Sequence, residues 1–209
     1  MKLKHSPKRK TELARSESWA VAIRERYGDS QNFLKEFNPG LQEFYADDIE
    51  HICREESIPI LVRISKAYGD KTAEAFLEAQ ITDAAVFMGE PMENVEEKIK
   101  EIKLLARTIR TDENLRTLNL ALIMLFFKRL KSGHYKIYGA ITPRKVLEVM
   151  QIFYAEAKEL QKHYRDIAEK EQRDRERAEH EKTAITLEQY AQNKGVDIEI
   201  IRNKLYGLL

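Results

Sequence analysis

Residues 115–154 decide the fold; they read LRTLNLALIMLFFKRLKSGHYKIYGAITPRKVLEVMQIFY. From Leu118 to Phe127 every residue except Asn119 is apolar. A helix that is apolar on all sides is buried, because none of its faces tolerates water. The apolar run is only about half as long as the roughly 20 residues that a membrane span needs. The stretch therefore predicts a buried core helix.

The same stretch contains the signals that end this helix and begin the next. Gly133 is a typical C-terminal stop, and cations in the preceding turn complement the helix dipole. Thr142 is a suitable N-cap, and Pro143 fits the first helical position because its missing N–H costs nothing there. The second helix then carries a heptad stripe that is suited to packing along a neighbouring helix. The stripe consists of Val146, Met150, Phe153, Ala157, Leu160, Tyr164 and Ile167.

The remaining apolar residues also recur at helical spacing, and no stretch alternates with period two beside turn signals. The sequence therefore predicts an all-α multi-helix bundle of about seven to nine helices. One helix is expected over residues 41–56, with Phe44 on its apolar side. Another is expected over residues 92–110, with Val95 and Ile99 facing inward.

Composition sets the broad class of the protein. The chain has 209 residues, 43% of them apolar, and a net charge of +1, so any preference for nucleic acid must come from a local patch. Cys53 is the only cysteine, which excludes an internal disulfide and disfavours a cysteine-based zinc site. The start, MKLKHSPKRK, is basic but lacks the apolar core of a secretory signal. We expect a soluble, cytoplasmic protein that makes no contact with a membrane.

The chain changes character after Ile167. Across residues 158–182, sixteen of 25 residues are charged, eight of each sign, and the apolar stripe disappears. Several acids precede a base by four residues, the favourable order on a helix. We predict one helix from Pro143 to Lys182, about 60 Å long, whose second half projects into solvent. The predicted domains are a disordered basic arm (1–10), a helical bundle (11–168), a charged helical extension (169–183) and a C-terminal hairpin (184–209).

The C-terminal segment, TLEQYAQNKGVDIEIIRNKLYGLL, has the spacing of a helix-turn-helix unit. Such a unit needs a small residue where the helices cross, a glycine in the turn and apolar residues that fix the second helix. The matching residues are Tyr190, Ala191, Gly195, Val196, Ile201 and Leu205. Candidate DNA contacts are Arg202, Asn203 and Lys204, although Asp197 and Glu199 are acidic where base contacts are usually made. The alternative is a plain helical hairpin that packs on the bundle or on another subunit.

A window without acidic residues gives the other candidate surface. No Asp or Glu occurs from Asn114 to Leu147, although the chain has 35 of them. Burial of the core helix explains part of this absence, but residues 128–145 also gather cations and aromatic side chains around one turn and a helix N-terminus. Such a surface suits a phosphate backbone or an acidic protein face. We call it the basic turn, and its candidate nucleic-acid-binding residues are Lys128, Arg129, Lys131, His134, Tyr135, Lys136, Tyr138, Arg144 and Lys145.

The alternative for the basic turn is structural, with aromatic residues that pack the turn and lysines that only solubilise the surface.

Motifs for catalysis are missing from the sequence. No Lys-Ser or Lys-Thr follows Gly139 to make a phosphate loop, and His51 and Cys53 have no second pair with which to bind a metal. We therefore assign no catalytic residue, cofactor or metal ligand and expect a protein that is not an enzyme. Asn119 is expected to bond a neighbouring backbone group.

A distinctive pattern within residues 60–160 is a buried helix that ends in phenylalanine and basic residues, followed by Lys-x-Gly-x-Tyr and Tyr-Gly. It comprises Phe126, Phe127, Lys131, Gly133, Tyr135, Tyr138 and Gly139. Through this pattern, residues 60–160 resemble a family of small helical proteins encoded by phages and conjugative elements of gut anaerobes. Similarity of layout to phage helicase-loading and replisome-organising proteins implies an accessory role in the replication of a mobile element.

Two functional hypotheses follow. The first is a DNA-associated accessory protein whose partner is DNA or a replication protein, bound through the basic turn, the hairpin or both. The second is a protein–protein adaptor or oligomerising protein that uses the long helix and the hairpin, with a second copy of the chain as one expected partner.

Overall fold

The computed structural model describes residues 18–47, 49–54, 57–89, 94–137, 142–184 and 186–205. Within these ranges the protein is all-α, as predicted, and its only β feature is an isolated antiparallel bridge between Ile60 and Asn119. The predicted basic arm lies outside the described residues. The α-helices are α1 (18–27), α2 (Ser30–Glu36), α3 (Gln42–Tyr45), α4 (Ile49–Arg54), α5 (Leu61–Tyr68), α6 (Asp70–Phe87), α7 (Val95–Thr111), α8 (Leu120–Lys131), α9 (Pro143–Thr183), α10 (Leu187–Lys194) and α11 (Ile198–Leu205). Short 3₁₀ helices cover Pro39–Leu41 and Leu115–Thr117.

The core forms around α8, as the apolar run predicts. Every residue from Leu120 to Phe127 is buried, and so is Leu130. Helices α3, α4 and α6 pack against α8, and α6 also packs against α5 and α7. Because α8 is covered on all sides, it has no solvent-facing face except at its basic C-terminal end.

Asn119 begins α8, and it bonds backbone groups as predicted. Its side-chain oxygen accepts a hydrogen bond from the Leu122 N–H at 2.8 Å, which caps the helix. Its Nδ2 donates to the Ile52 carbonyl oxygen at 3.2 Å, near the end of α4. The last carbonyls of a helix lack partners within the helix, so one buried amide satisfies the end of α4 and the start of α8.

Helix α9 runs for 41 residues, in agreement with the predicted long helix. It begins at Pro143, and its first turn is capped by the Thr142 hydroxyl, which accepts from the Lys145 N–H at 3.4 Å. The heptad stripe is buried as far as Ala157, whereas Leu160, Tyr164 and Ile167 are only partly buried. Gly133, with a φ of 75°, ends the preceding segment in the left-handed region that favours glycine.

Three local predictions are wrong. The single helix predicted over residues 41–56 is divided into the end of a 3₁₀ helix, α3 and α4, and Phe44 is exposed. Val95 and Ile99 are also exposed, because only the second half of α7 turns its apolar stripe fully into the core. Helix periodicity finds the stripe but does not show how far along it a neighbouring helix extends.

The chain divides into two compact units, Met1–Tyr164 and Arg165–Leu209. The first unit contains the core around α8. The second contains the charged end of α9 together with α10 and α11. No helix in the described ranges is both long enough and apolar enough to span a bilayer.

Candidate functional site

The three cations at the end of α8 are paired with acids from other elements. Lys128 Nζ lies 2.7 Å from Glu43 Oε2, and Lys131 Nζ lies 2.6 Å from Asp83 Oδ2. Both lysine side chains are mostly buried. Arg129 Nη1 lies 3.5 Å from the carboxylate of Glu156 in α9, and its guanidinium group is also 5.9 Å from the centre of the Phe153 ring. These cations connect α8 to α3, α6 and α9, so their charges are largely offset within the fold.

Tyr135 packs into the turn that follows α8. Its ring lies 6.0 Å from Phe126, and its hydroxyl donates to Glu156 Oε2 at 2.9 Å. Burial, followed by the bond to Glu156, raises the pKa of Tyr135 to about 12. The exposed His134 ring meets the Tyr135 ring edge-on at 4.9 Å. A tyrosine held in this way is not available as a flat stacking surface for a base.

The remaining members of the basic turn are at the surface. Lys136 is exposed, and no ion pair within the described part of the chain involves it. Arg144 is also exposed and lies 2.8 Å from Glu148, one helical turn further along α9. Lys145 lies in the same first turn of α9, and Tyr138 lies outside the described residues. The nine candidates therefore do not form one uncompensated cationic surface among the residues described.

The second unit contains a helical hairpin with the connections of a helix-turn-helix. Thr186 and Gln189 make a reciprocal capping box at the start of α10. Gly195 ends the helix with a φ of 64°, and the Val196 N–H donates to the carbonyl of Ala191 at 3.1 Å. Ala191 is buried, as the small-residue position of such a unit requires. The predicted turn is thus formed by the predicted residues.

The charges on the hairpin are unfavourable for contacts with DNA. The Glu199 N–H donates to Asp197 Oδ1 at 2.9 Å, so a carboxylate caps the start of α11. Arg202 lies 3.1 Å from Glu199 and 3.6 Å from Glu188 of α10. The positive charge of Arg202 is therefore offset within the hairpin. Asn203 and Lys204 follow in α11. Acids at the leading end of the second helix repel phosphates where a recognition helix approaches the groove.

Apolar side chains of the hairpin are exposed. Tyr190 is 43% exposed, Val196 41% and Ile200 54%. Among the side chains described between residues 165 and 202, only Ala191 is buried. Helices α10 and α11 have eight residues each, and helices this short are only marginally stable by themselves. Three large apolar side chains of the described hairpin are thus left about half exposed.

Sequence reasoning missed a second cationic cluster, because one member, Lys66, is more than forty residues from the other two in the sequence. Lys66 in α5, Arg110 in α7 and Arg116 in the 3₁₀ helix Leu115–Thr117 line one depression of about 290 Å³. A signal was present in the sequence, since residues 57–69 also lack acids.

In the described ranges no group of three or more His, Cys, Asp or Glu side chains is arranged to hold a metal ion. Comparisons with protein-family models, curated proteins and solved structures found no match for this chain.

Proposed function

We propose that this protein is a protein–protein adaptor that docks through the hairpin formed by α10 and α11. The observation that carries the proposal is the exposure of Tyr190, Val196 and Ile200 on a hairpin whose only buried side chain, among those described, is Ala191. A partner that covers these side chains completes the small core of the hairpin. Aromatic and branched aliphatic residues of this kind supply the apolar centre of an interface.

The size of the apolar contribution indicates a weak, reversible interaction. Full burial of a side chain of this type contributes roughly 1.5–3 kcal/mol. Because each of the three is about half buried already, covering the rest contributes on the order of 3 kcal/mol in total. That value is below the roughly 4 kcal/mol of a millimolar complex, before the cost of association is considered. A useful affinity therefore needs polar contacts at the rim or several copies acting together.

A DNA-associated role is the second candidate, and the connections of the hairpin favour it. The capping box, the left-handed glycine and the buried alanine are features of helix-turn-helix units. The acidic start of α11 and the ion pairs of Arg202 favour the adaptor instead. Phosphate contacts supply most of the affinity of DNA-binding proteins. Because the start of α11 is acidic and Arg202 is already paired, the hairpin is poorly suited to such contacts, and we rank the adaptor first.

Affinity capture of the full chain from its native host, with and without nuclease, tests the proposal. The informative variant is Ile200→Lys, which places a charge on the exposed apolar surface. The matched control is Ile152→Lys, because Ile152 is 57% exposed and lies in the first unit. We expect partners that survive nuclease treatment, that are lost with Ile200→Lys and that are kept with Ile152→Lys.

Partners that disappear on nuclease treatment would support the DNA-associated role instead. Partners retained equally by both variants would exclude the hairpin as the docking element. A replication protein among the nuclease-resistant partners would connect the adaptor to the helicase-loading type of role that the resemblance implies. That role in a mobile element stays a proposal here.

A further inference from the structure

We propose that the depression between α5, α7 and the 3₁₀ helix Leu115–Thr117 binds a phosphate group, either free phosphate or a phosphomonoester. This site lies in the first unit and is independent of the hairpin, so it goes beyond the adaptor role. The residues used in the argument are Ser65, Lys66, Asp70, Arg110, Thr111 and Arg116. We call them the anion depression.

The charges of the anion depression favour an anion. Lys66, Arg110 and Arg116 contribute three positive charges, against two carboxylates, those of Asp70 and Glu74, which both pair with Arg110. Lys66 and Arg116 are exposed, and neither forms an ion pair within the described ranges. Two exposed cations that no acid in the described ranges pairs with are able to converge on one tetrahedral anion. In this respect Lys66 and Arg116 differ from the cations of α8 in the basic turn, which acids neutralise.

Arg110 is the fixed member of the cluster. Its Nη1 lies 2.9 Å from Asp70 Oδ2, and its Nε donates to Glu74 Oε1 at 2.8 Å. Its side chain is only 16% exposed, so these two bonds hold the guanidinium group in one orientation. An arginine has five N–H donors, and donors remain for a ligand after both contacts are made.

Ser65 adds a hydrogen-bonding group for which the described part of the chain supplies no partner. Its hydroxyl is buried, and within the described part of the chain it makes no hydrogen bond. A buried hydroxyl without a partner costs about 1–3 kcal/mol, so such a group usually indicates a missing contact. Because the Ser65 Oγ is closed off from solvent, the side chain must rotate about χ1 before an oxyanion in the depression accepts that bond. The donor set of arginine, lysine and hydroxyl is typical of phosphate recognition.

The arrangement favours a single phosphate over a nucleic-acid backbone. The volume of about 290 Å³ accommodates a phosphate with a small attached group. Asp70 and Glu74 both contact Arg110, and their charges would repel the further phosphates of a polymer. A duplex instead requires a row of cations along its path. Phosphoserine is therefore a suitable model ligand, and inorganic phosphate is the simplest probe.

Titration of the ¹⁵N-labelled full chain with sodium phosphate, followed by amide NMR shifts, tests the proposal. Sodium chloride at equal ionic strength is the reference. We expect saturable shifts at Lys66, Thr111 and Arg116 with phosphate alone, and the same set of shifts with phosphoserine. The double variant Lys66→Ala/Arg116→Ala should weaken binding at least tenfold, because it removes the two cations of the depression that no described acid pairs with.

Lys35→Ala is the matched control, since Lys35 is an exposed cation of α2 that does not line the depression and that no ion pair in the described ranges involves. It should bind phosphate like the wild type. Shifts that do not saturate, or that chloride reproduces, would overturn the proposal, and so would equal weakening by both variants. Tighter binding of a short DNA duplex at the same residues would replace the single-phosphate assignment with a nucleic-acid site. None of these results depends on the hairpin. A result that contradicts the phosphate site therefore leaves the adaptor role untouched, and the reverse also holds.

Discussion

Asn119→Ala should destabilise the first unit about as much as truncation of a buried leucine, although Asn119 is a polar residue. Asn119 is 6% exposed, and its amide satisfies two backbone groups that belong to different helices. Loss of the N-cap of α8 costs about 1–2 kcal/mol, which includes the buried Leu122 N–H. The Ile52 carbonyl is also left without its side-chain partner, which costs about 1–3 kcal/mol more. We therefore expect a loss of about 3 kcal/mol in the free energy of unfolding.

Urea unfolding followed by Trp19 fluorescence measures this loss. Trp19 is the single tryptophan, and it lies in the same unit as Asn119, with its ring 4.1 Å from the Arg63 guanidinium group. With a urea dependence of about 2 kcal/mol per molar, a loss of this size lowers the midpoint by about 1.5 M. Asn119→Ser should lose roughly half as much, because a hydroxyl retains the cap but is too short to reach Ile52.

Asn94→Ala is the matched control, since Asn94 caps α7 at an exposed position with a longer bond of 3.4 Å. It should lower the midpoint by less than about 0.5 M, because water replaces the lost partner. If Asn94→Ala and Asn119→Ala shift the midpoint equally, Asn119 does not join α4 to α8 as argued.

Other perturbations of the first unit have equally definite outcomes. Leu122→Asp should abolish soluble folding, because it places an unpaired carboxylate in a fully buried helix; a cooperative urea transition in this variant would contradict the placement of α8. Tyr135→Phe should reduce the loss of stability above pH 10. The raised pKa of Tyr135 means that its contribution is present below pH 10 and is lost as the pH rises towards about 12, and an unchanged pH profile would exclude the raised pKa. Truncation after Ala168 should leave the midpoint unchanged, since the first unit keeps its whole buried stripe; a much lower midpoint would show that the second unit contributes to that stability.

The parts of the fold that depend on local pattern were predictable. The all-apolar run of α8, the Thr142-Pro143 start of α9 and the Gly195 turn each have a local cause that the sequence displays. The break between α3 and α4 was not predictable, because residues 41–56 keep a helical period across it.

The ion pairs of the basic turn were unpredictable for a different reason. Glu43 and Asp83 are far from Lys128 and Lys131 in the sequence, and only the packing of α3 and α6 against α8 brings them together. A window without acids shows the absence of local partners but does not exclude distant ones. The anion depression was unpredictable because its cations come from three separate elements, which only the packing of the fold brings together.

Site-specific photo-crosslinking tests the adaptor proposal most directly. A photoreactive phenylalanine analogue replaces Tyr190 in the full chain, expressed in its native host. The same analogue at Phe44, an aromatic residue that is 77% exposed in the first unit, serves as the control. The adaptor proposal predicts a discrete protein adduct at position 190 that resists nuclease and is not formed at position 44. An adduct that nuclease removes, or the same adducts at both positions, would contradict the hairpin as a protein-docking element.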